Sequence, residues 1–311
     1  DASVDLVGRG PGSAPAVQVT GGTIDMRQTE FGAGGGQSGG QAGPINLTLD
    51  RLQISDGIAL TDFKADLSMA RGADGRFAGK VNGGTMISGR VVPQQGRSAF
   101  RIRSDDAGGV LSHAGLLKSA RRGEMELILT PARAKGNYDG HLEVSTIRLK
   151  DAPALAALMN AISVVGLLEQ MAGEGIHFSR IEADFRLTPD RVILKRGSAE
   201  GASMGISMDG YYDMESGRMD MQGVFSPIYL VNAMGGLFTR RGEGLVGFSY
   251  RLTGAASDPQ VQVNPLSVLT PGMFRDLFRR PAPRLPDDPA PQGTRDAPAQ
   301  TAPSPSTGAQ R

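Results

Sequence analysis

The chain of 311 residues contains no cysteine and no tryptophan. Without thiols it has no disulfide framework, no thiolate zinc site and no cysteine nucleophile. Histidine is nearly as scarce: His113, His141 and His177 lie far apart, and no His-x-x-x-His spacing prefigures a metal site. A charge excess is missing too. Lys plus Arg (33) against Asp plus Glu (32) leaves a net +1, so no global field recruits nucleic acid or another polyanion. No Gly-x-Ser-x-Gly elbow and no His-Glu-x-x-His helix stands out. The chain therefore reads as no enzyme, with no metal and no cofactor. It opens on Asp1 without a charged-then-apolar leader, which reads as a part of a longer protein whose signal or anchor lies upstream.

Glycine is what the sequence has in plenty, 44 residues or roughly twice ordinary usage. Residues 32–43 are Gly, Gln, Ser, Ala and a single Phe-flanked start, and read as a flexible Gly-rich loop. Residues 281–311 hold eight of the nineteen prolines and no aromatic, and read as a disordered Pro/Ala-rich tail. That leaves strands in 1–31 and a main β domain over 44–280.

Within the main domain the apolar residues recur every second position, the period of a strand with one buried face. Ile45, Leu47 and Leu49 alternate with Asn46, Thr48 and Asp50, and Phe63, Ala65 and Leu67 with Lys64, Asp66 and Ser68. Ile181 and Phe185 precede a Thr188-Pro189-Asp190 turn. The clearest hairpin enters on Met204, Ile206 and Met208 and turns at Glu215 to Arg218. It leaves on Met219, Met221 and Phe225, and Val246, Phe248 and Tyr250 continue the pattern. About fifteen strands with short turns predict a mostly β, antiparallel meander, a long curved sheet of hairpins. Three segments break the period and predict helices near 105–120, 152–172 and 226–238, with a last short one near 271–279. Asp105 and Asp106 suit a helix start, where carboxylates cap free amides. The second helix carries Leu155, Leu158, Met159, Ile162, Val165 and Leu168 at three- and four-residue steps, with Asp151 as N-cap and Pro153 in its first turn.

Two features invite over-reading. Gly34, Gly36 and Gly39 fit Gly-x-Gly-x-x-Gly, yet they lead into Pro44 and a strand rather than a phosphate-binding helix. The uncharged run Ala152 to Leu168 is seventeen residues, short of the twenty or so that span a bilayer, and reads as a helix packed on or plugging the sheet. The apolar face itself has two readings at this point. It is the dry core of a sandwich, or it is an open groove whose many methionines accept varied apolar partners.

The segment Gly201-Ala-Ser-Met-Gly-Ile-Ser-Met-Asp-Gly-Tyr-Tyr-Asp and the segment from Gly223 through Pro227 to Asn232 resemble the AsmA-like C-terminal region of the YhdP type. So do Gly244 to Gly254 and the ending Asp258-Pro-Gln-Val-Gln-Val-Asn-Pro-Leu-Ser-Val-Leu-Thr-Pro-Gly-Met-Phe-Arg. The resemblance covers roughly residues 98 to 280. It implies a bridge-like lipid transport protein of a Gram-negative envelope, periplasmic and held in the inner membrane by an N-terminal anchor absent from this chain. Phospholipids would be its partners, with an outer-membrane or periplasmic protein at one end. On that resemblance the expected function is shielding of acyl chains in an apolar β-groove that supports outer-membrane integrity. The expected lipid-facing residues are Ile181, Phe185, Met204, Ile206, Met208, Met219, Met221, Phe225, Val246, Phe248 and Tyr250. The helix residues Leu155 to Leu168 would cap or gate the groove, which carries no catalytic residue. The alternative is an envelope scaffold or outer-membrane assembly factor that works by binding a protein partner.

Overall fold

A segment that alternates apolar and polar residues can keep its apolar side from water only as a strand whose neighbours alternate in step. The computed structural model describes residues 2–11, 13–27, 43–70, 72–150, 152–162, 172–227 and 247–264. In them, seventeen strands join one long curved sheet that does not close. Three short strands come first: β1 (Ser3–Val7), β2 (Ala16–Thr20) and β3 (Thr23–Asp25). Then follow β4 (Pro44–Gln53), β5 (Ala59–Ser68), β6 (Asp74–Val81), β7 (Met86–Gln94) and β8 (Arg97–Ser104). After helix α1 (Ala107–His113) come β9 (Ala120–Arg121), β10 (Glu124–Pro131) and β11 (Tyr138–Leu149). Helix α2 (Pro153–Ala161) leads to β12 (Ile176–Leu187), β13 (Arg191–Glu200), β14 (Gly205–Asp213), β15 (Arg218–Ser226), β16 (Phe248–Ala255) and β17 (Asp258–Asn264).

From β4 to β8 and from β10 to β17 each strand pairs antiparallel with the next in the chain, and β8 pairs with β10 to join the two runs. The N-terminal strands belong to the same sheet. Here the antiparallel expectation needs correction, because β2 and β3 both run parallel to β4. A parallel neighbour requires the chain to return to its starting end, and residues 26–43 supply the dozen or more residues such a return takes. Gly21 and Gly22 hold positive φ of 73° and 76°, a conformation that lets β2 jog into β3 without reversing direction.

Helix α1 is shorter than its sequence period. Over 105–120 only Ala107–His113 is helical. Gly115, at φ 75°, turns the chain, and the amides of Leu116 and Leu117 fold back onto the Leu111 carbonyl, so two leucines at helical spacing lie outside the helix. Asp106 is the N-cap, accepting from the Gly109 amide at 2.9 Å. In α2, Pro153 occupies the first turn as expected, but the N-cap is Ala152, which has no side-chain oxygen to offer. Ser226 closes β15 rather than opening a third helix. Asp151, Val165, Leu168, Val246, the rest of 228–238, nearly all of the Gly-rich loop and everything from 265 to the end of the chain, with its tail, lie outside the described residues.

One apolar cluster runs from Leu49 in β4 to Leu252 in β16, with Phe178, Phe225, Met159 and Met204 fully buried in it. Burying each such side chain contributes about 1.5–3 kcal/mol. Rings of Phe63, Phe77, Phe100 and Tyr138 form a row at centroid distances of 6.2, 6.5 and 6.1 Å. The row skips β7 because Phe77 lies over Gly89, where a methyl group would sit 2.3 Å from the ring. Phe185 covers Gly140 in the same way.

Candidate functional site

Directly paired residues on neighbouring strands project to the same side of a sheet, so register alone sorts side chains between the two faces. Starting at Leu6, successive partners are Val17, Ile45, Leu67, Gly75, Val91, Phe100, Leu129 and Gly140. The row continues through Phe185, Leu194, Gly210, Met221, Leu252 and Val261. It crosses the whole sheet without a single polar side chain. A second row runs from Val4 through Val19, Leu47, Ala65, Phe77, Gly89, Ile102, Leu127 and Leu142 to Ala183, Gly197, Met208, Gly223, Tyr250 and Val263. Its one polar atom, the Tyr250 hydroxyl, donates to the Ser207 carbonyl at 2.9 Å. At the usual strand spacing of about 4.8 Å, each row is about 65 Å long.

Nine of the eleven expected lipid-facing residues fall on this face by register, Val246 lying outside the described residues and Met204 ahead of β14. Ile181, Ala199, Ile206, Phe225 and Phe248 form a third row in β12 to β16, and Met219 pairs with Tyr212 and Gly254 in a fourth. Ile181, Phe185, Ile206, Met208, Met219 and Phe248 are half-buried, whereas Met221, Phe225 and Tyr250 are buried. Met204 is also buried, one residue ahead of β14. On α2, Leu155, Leu158 and Met159 are buried and Ile162 packs against the same cluster. The helix lies beside β17, the last strand of the sheet.

Residues between these rows face the other way and are mostly polar, with Ile128, Ile193 and Val224 among the exceptions. Asp66, Arg76, Arg90 and Arg101 are successive partners in β5 to β8. Glu126 takes Arg101 at 2.8 Å and Arg103 at 2.6 Å, and these together hold its carboxyl below the usual range although burial pushes it up. Burial pushes the Asp139 carboxyl up, but Arg186 at 3.0 Å and Lys195 at 2.9 Å more than offset this and leave it lowered. Asp184 is lowered likewise, burial being outweighed by His141 at 2.7 Å and by Arg196. The His141–Asp184 pair has the look of half a catalytic triad. Among the described residues no hydroxyl is hydrogen-bonded to that imidazole, so the pair is one member of the ion lattice.

No group of three His, Asp or Glu side chains is placed to hold a metal among the described residues. No helix in them is long and apolar enough to cross a membrane. No family model, curated protein or solved structure matches the chain.

Residue reasoning on the C-terminal third missed how far the face extends. Val4 and Leu6 in β1 belong to the same two rows as Tyr250 and Met221. It also missed the glycines that the rings cover. Glycine at an inward position of an alternating strand, as at Gly89, Gly140 and Gly223, is the signal that could have found them.

Proposed function

We propose that the sheet curves toward its apolar face and that this face carries lipid acyl chains in water. The observation that supports this reading is the pair of unbroken apolar rows through fifteen of the seventeen strands of an unclosed sheet. A sandwich would need a second sheet to cover such a face. Acyl chains cover it equally well, and each buried methylene contributes about 0.8 kcal/mol. Rows without a polar interruption offer successive positions of nearly equal energy, so a chain slides rather than docks. Among the described residues no side chain on the face offers chemistry, and in this reading the protein acts without a reaction step. The resemblance of residues 98 to 280 supports the further proposal that this activity lies in a Gram-negative periplasm, between an inner membrane that anchors the protein and an outer membrane that receives phospholipid.

Photocrosslinking tests the reading. Benzophenone side chains at Phe185, Ile206 and Phe248 probe the apolar face, and the same group at Arg196, Gln222 and Ser249 probes the polar one. Labelled phospholipid is expected on the first set alone. Equal labelling of both sets, or none on the first in a folded protein, overturns the reading and leaves the face as a dry core.

A further inference from the structure

We propose that the polar face around β9 and the C-terminal end of β11 is a docking surface for an anionic phospholipid bilayer. Register sets Arg121 directly opposite Arg148, and Arg148 directly opposite His177, on three neighbouring strands. Lys118 and Arg122 flank this stack in sequence and are exposed, and Lys150 follows it half-buried. Like charges set opposite each other cost stability. Elsewhere on the same face the cost is removed by carboxylates: Glu126 serves Arg101 and Arg103, and Glu143 and Glu182 serve Arg180. Among the described residues none of Lys118, Arg121, Arg122, Arg148 and Lys150 has an ion pair. The neighbouring carboxylates of Asp105, Glu124 and Glu174 reach none of them, and Asp106 is occupied in capping α1.

The cations are also held in place. The α1 amides of Ala107 and Gly108 donate to the carbonyls of Gly123 and Arg122 at 2.6 and 2.8 Å. Helix and strand approach so closely that a methyl group on Gly108 would lie 2.4 Å from the Arg121 backbone nitrogen. A rigid basic cluster suits any anionic surface. Leu116, 62% exposed and two residues before Lys118, selects a bilayer, because an aliphatic side chain beside cations gains from entering the headgroup layer. Met86, 51% exposed at the start of β7, adds a second apolar tip at the same end of the strands. The choice of lipid as partner leans on the function proposed above, whereas the site stands on its own residues.

Vesicle flotation of the full chain tests this, with phosphatidylcholine vesicles that do or do not contain roughly one-third phosphatidylglycerol. Binding is expected only with the anionic lipid, and is expected to vanish between about 0.1 M and about 0.5 M salt as screening shortens. Each basic side chain near such a surface is worth about fivefold in affinity, so K118E, R121E and R122N together weaken binding on the order of a hundredfold. Asn at position 122 suits its positive φ of 63°. Leu116→Ser weakens binding less, and K64E with R76E, on the polar face at a distance, leaves it unchanged. Circular dichroism checks the fold of each variant, and the salt series on the unaltered chain needs no variant. Binding that ignores phosphatidylglycerol, or that K64E with R76E weakens equally, overturns the proposal. Phospholipid presented in detergent must still label Ile206 in the triple variant; docking that fails while this labelling persists leaves the acyl-chain reading intact.

Discussion

The same strands build two faces that are held together by opposite physics. The apolar face works by fit: Phe77 over Gly89, Phe185 over Gly140, and Tyr250 over Gly223 leave no room for one added carbon. The polar face works by pairing in register, and most of its partners stay in water, as Arg90 (60% exposed) and Asp74 (45%) do. Fit is intolerant of change and pairing is forgiving, so the two faces differ in what a substitution does to them.

The largest effect is expected at Phe225, fully buried between Ile206 and Phe248. Phe225→Ala removes about 3–5 kcal/mol, read from the urea midpoint at unchanged slope. Next comes Gly223→Ala, whose methyl would sit 1.8 Å from the Ser207 carbonyl oxygen and 2.8 Å from the Tyr250 hydroxyl. It breaks the Tyr250–Ser207 hydrogen bond and costs about 1–3 kcal/mol. A loss below that of the Arg90 pair would show that the face is looser than its packing.

Asp139→Asn sharpens the comparison from the other side. It removes one carboxylate contact of Arg186, whose side chain is only 9% exposed, yet Asp139 itself is 41% exposed, so solvent limits the cost to about 1 kcal/mol. Because Asp139 and Asp184 titrate below ordinary carboxylates, their contribution is present above about pH 4 and is lost as pH falls through their lower folded values. An acid titration of stability is expected to show a shallower fall below pH 4 in Asp139→Asn than in the parent. Smallest of all is Arg90→Ala, at about 0.5 kcal/mol or less. A polar-face variant costing as much as Phe225→Ala would end the distinction.

Much of this was readable from residues alone. The turns at Thr188 to Asp190 and Glu215 to Arg218 lie between the strands that the period of two assigns. The inward parity of Ile206, Met208, Met221 and Phe225 needed only alternation. What alternation does not carry is partnership between strands. Nothing in Val17, Val19 or Ile24 says that their neighbour β4 runs parallel, since that depends on the path of the intervening chain. The α1 boundary was lost because Leu116 and Leu117 keep helical spacing while Gly115 ends the helix. The basic stack, unlike the glycine pockets, left no signal along the chain. Arg121, Arg148 and His177 are dispersed in sequence and meet only through register.

Because strand order follows chain order from β10 to β17, five of the seven connections there are only two to six residues long, β11 to β12 and β15 to β16 being the longer ones. Short loops lose little entropy on closing, so such a sheet assembles like a zip, one hairpin laid on the last. Stability then accumulates between neighbours, as in a repeat protein. Inserting or deleting a whole hairpin changes the width by about 10 Å and leaves every other pairing in register. The width of the sheet is therefore a free parameter of this architecture.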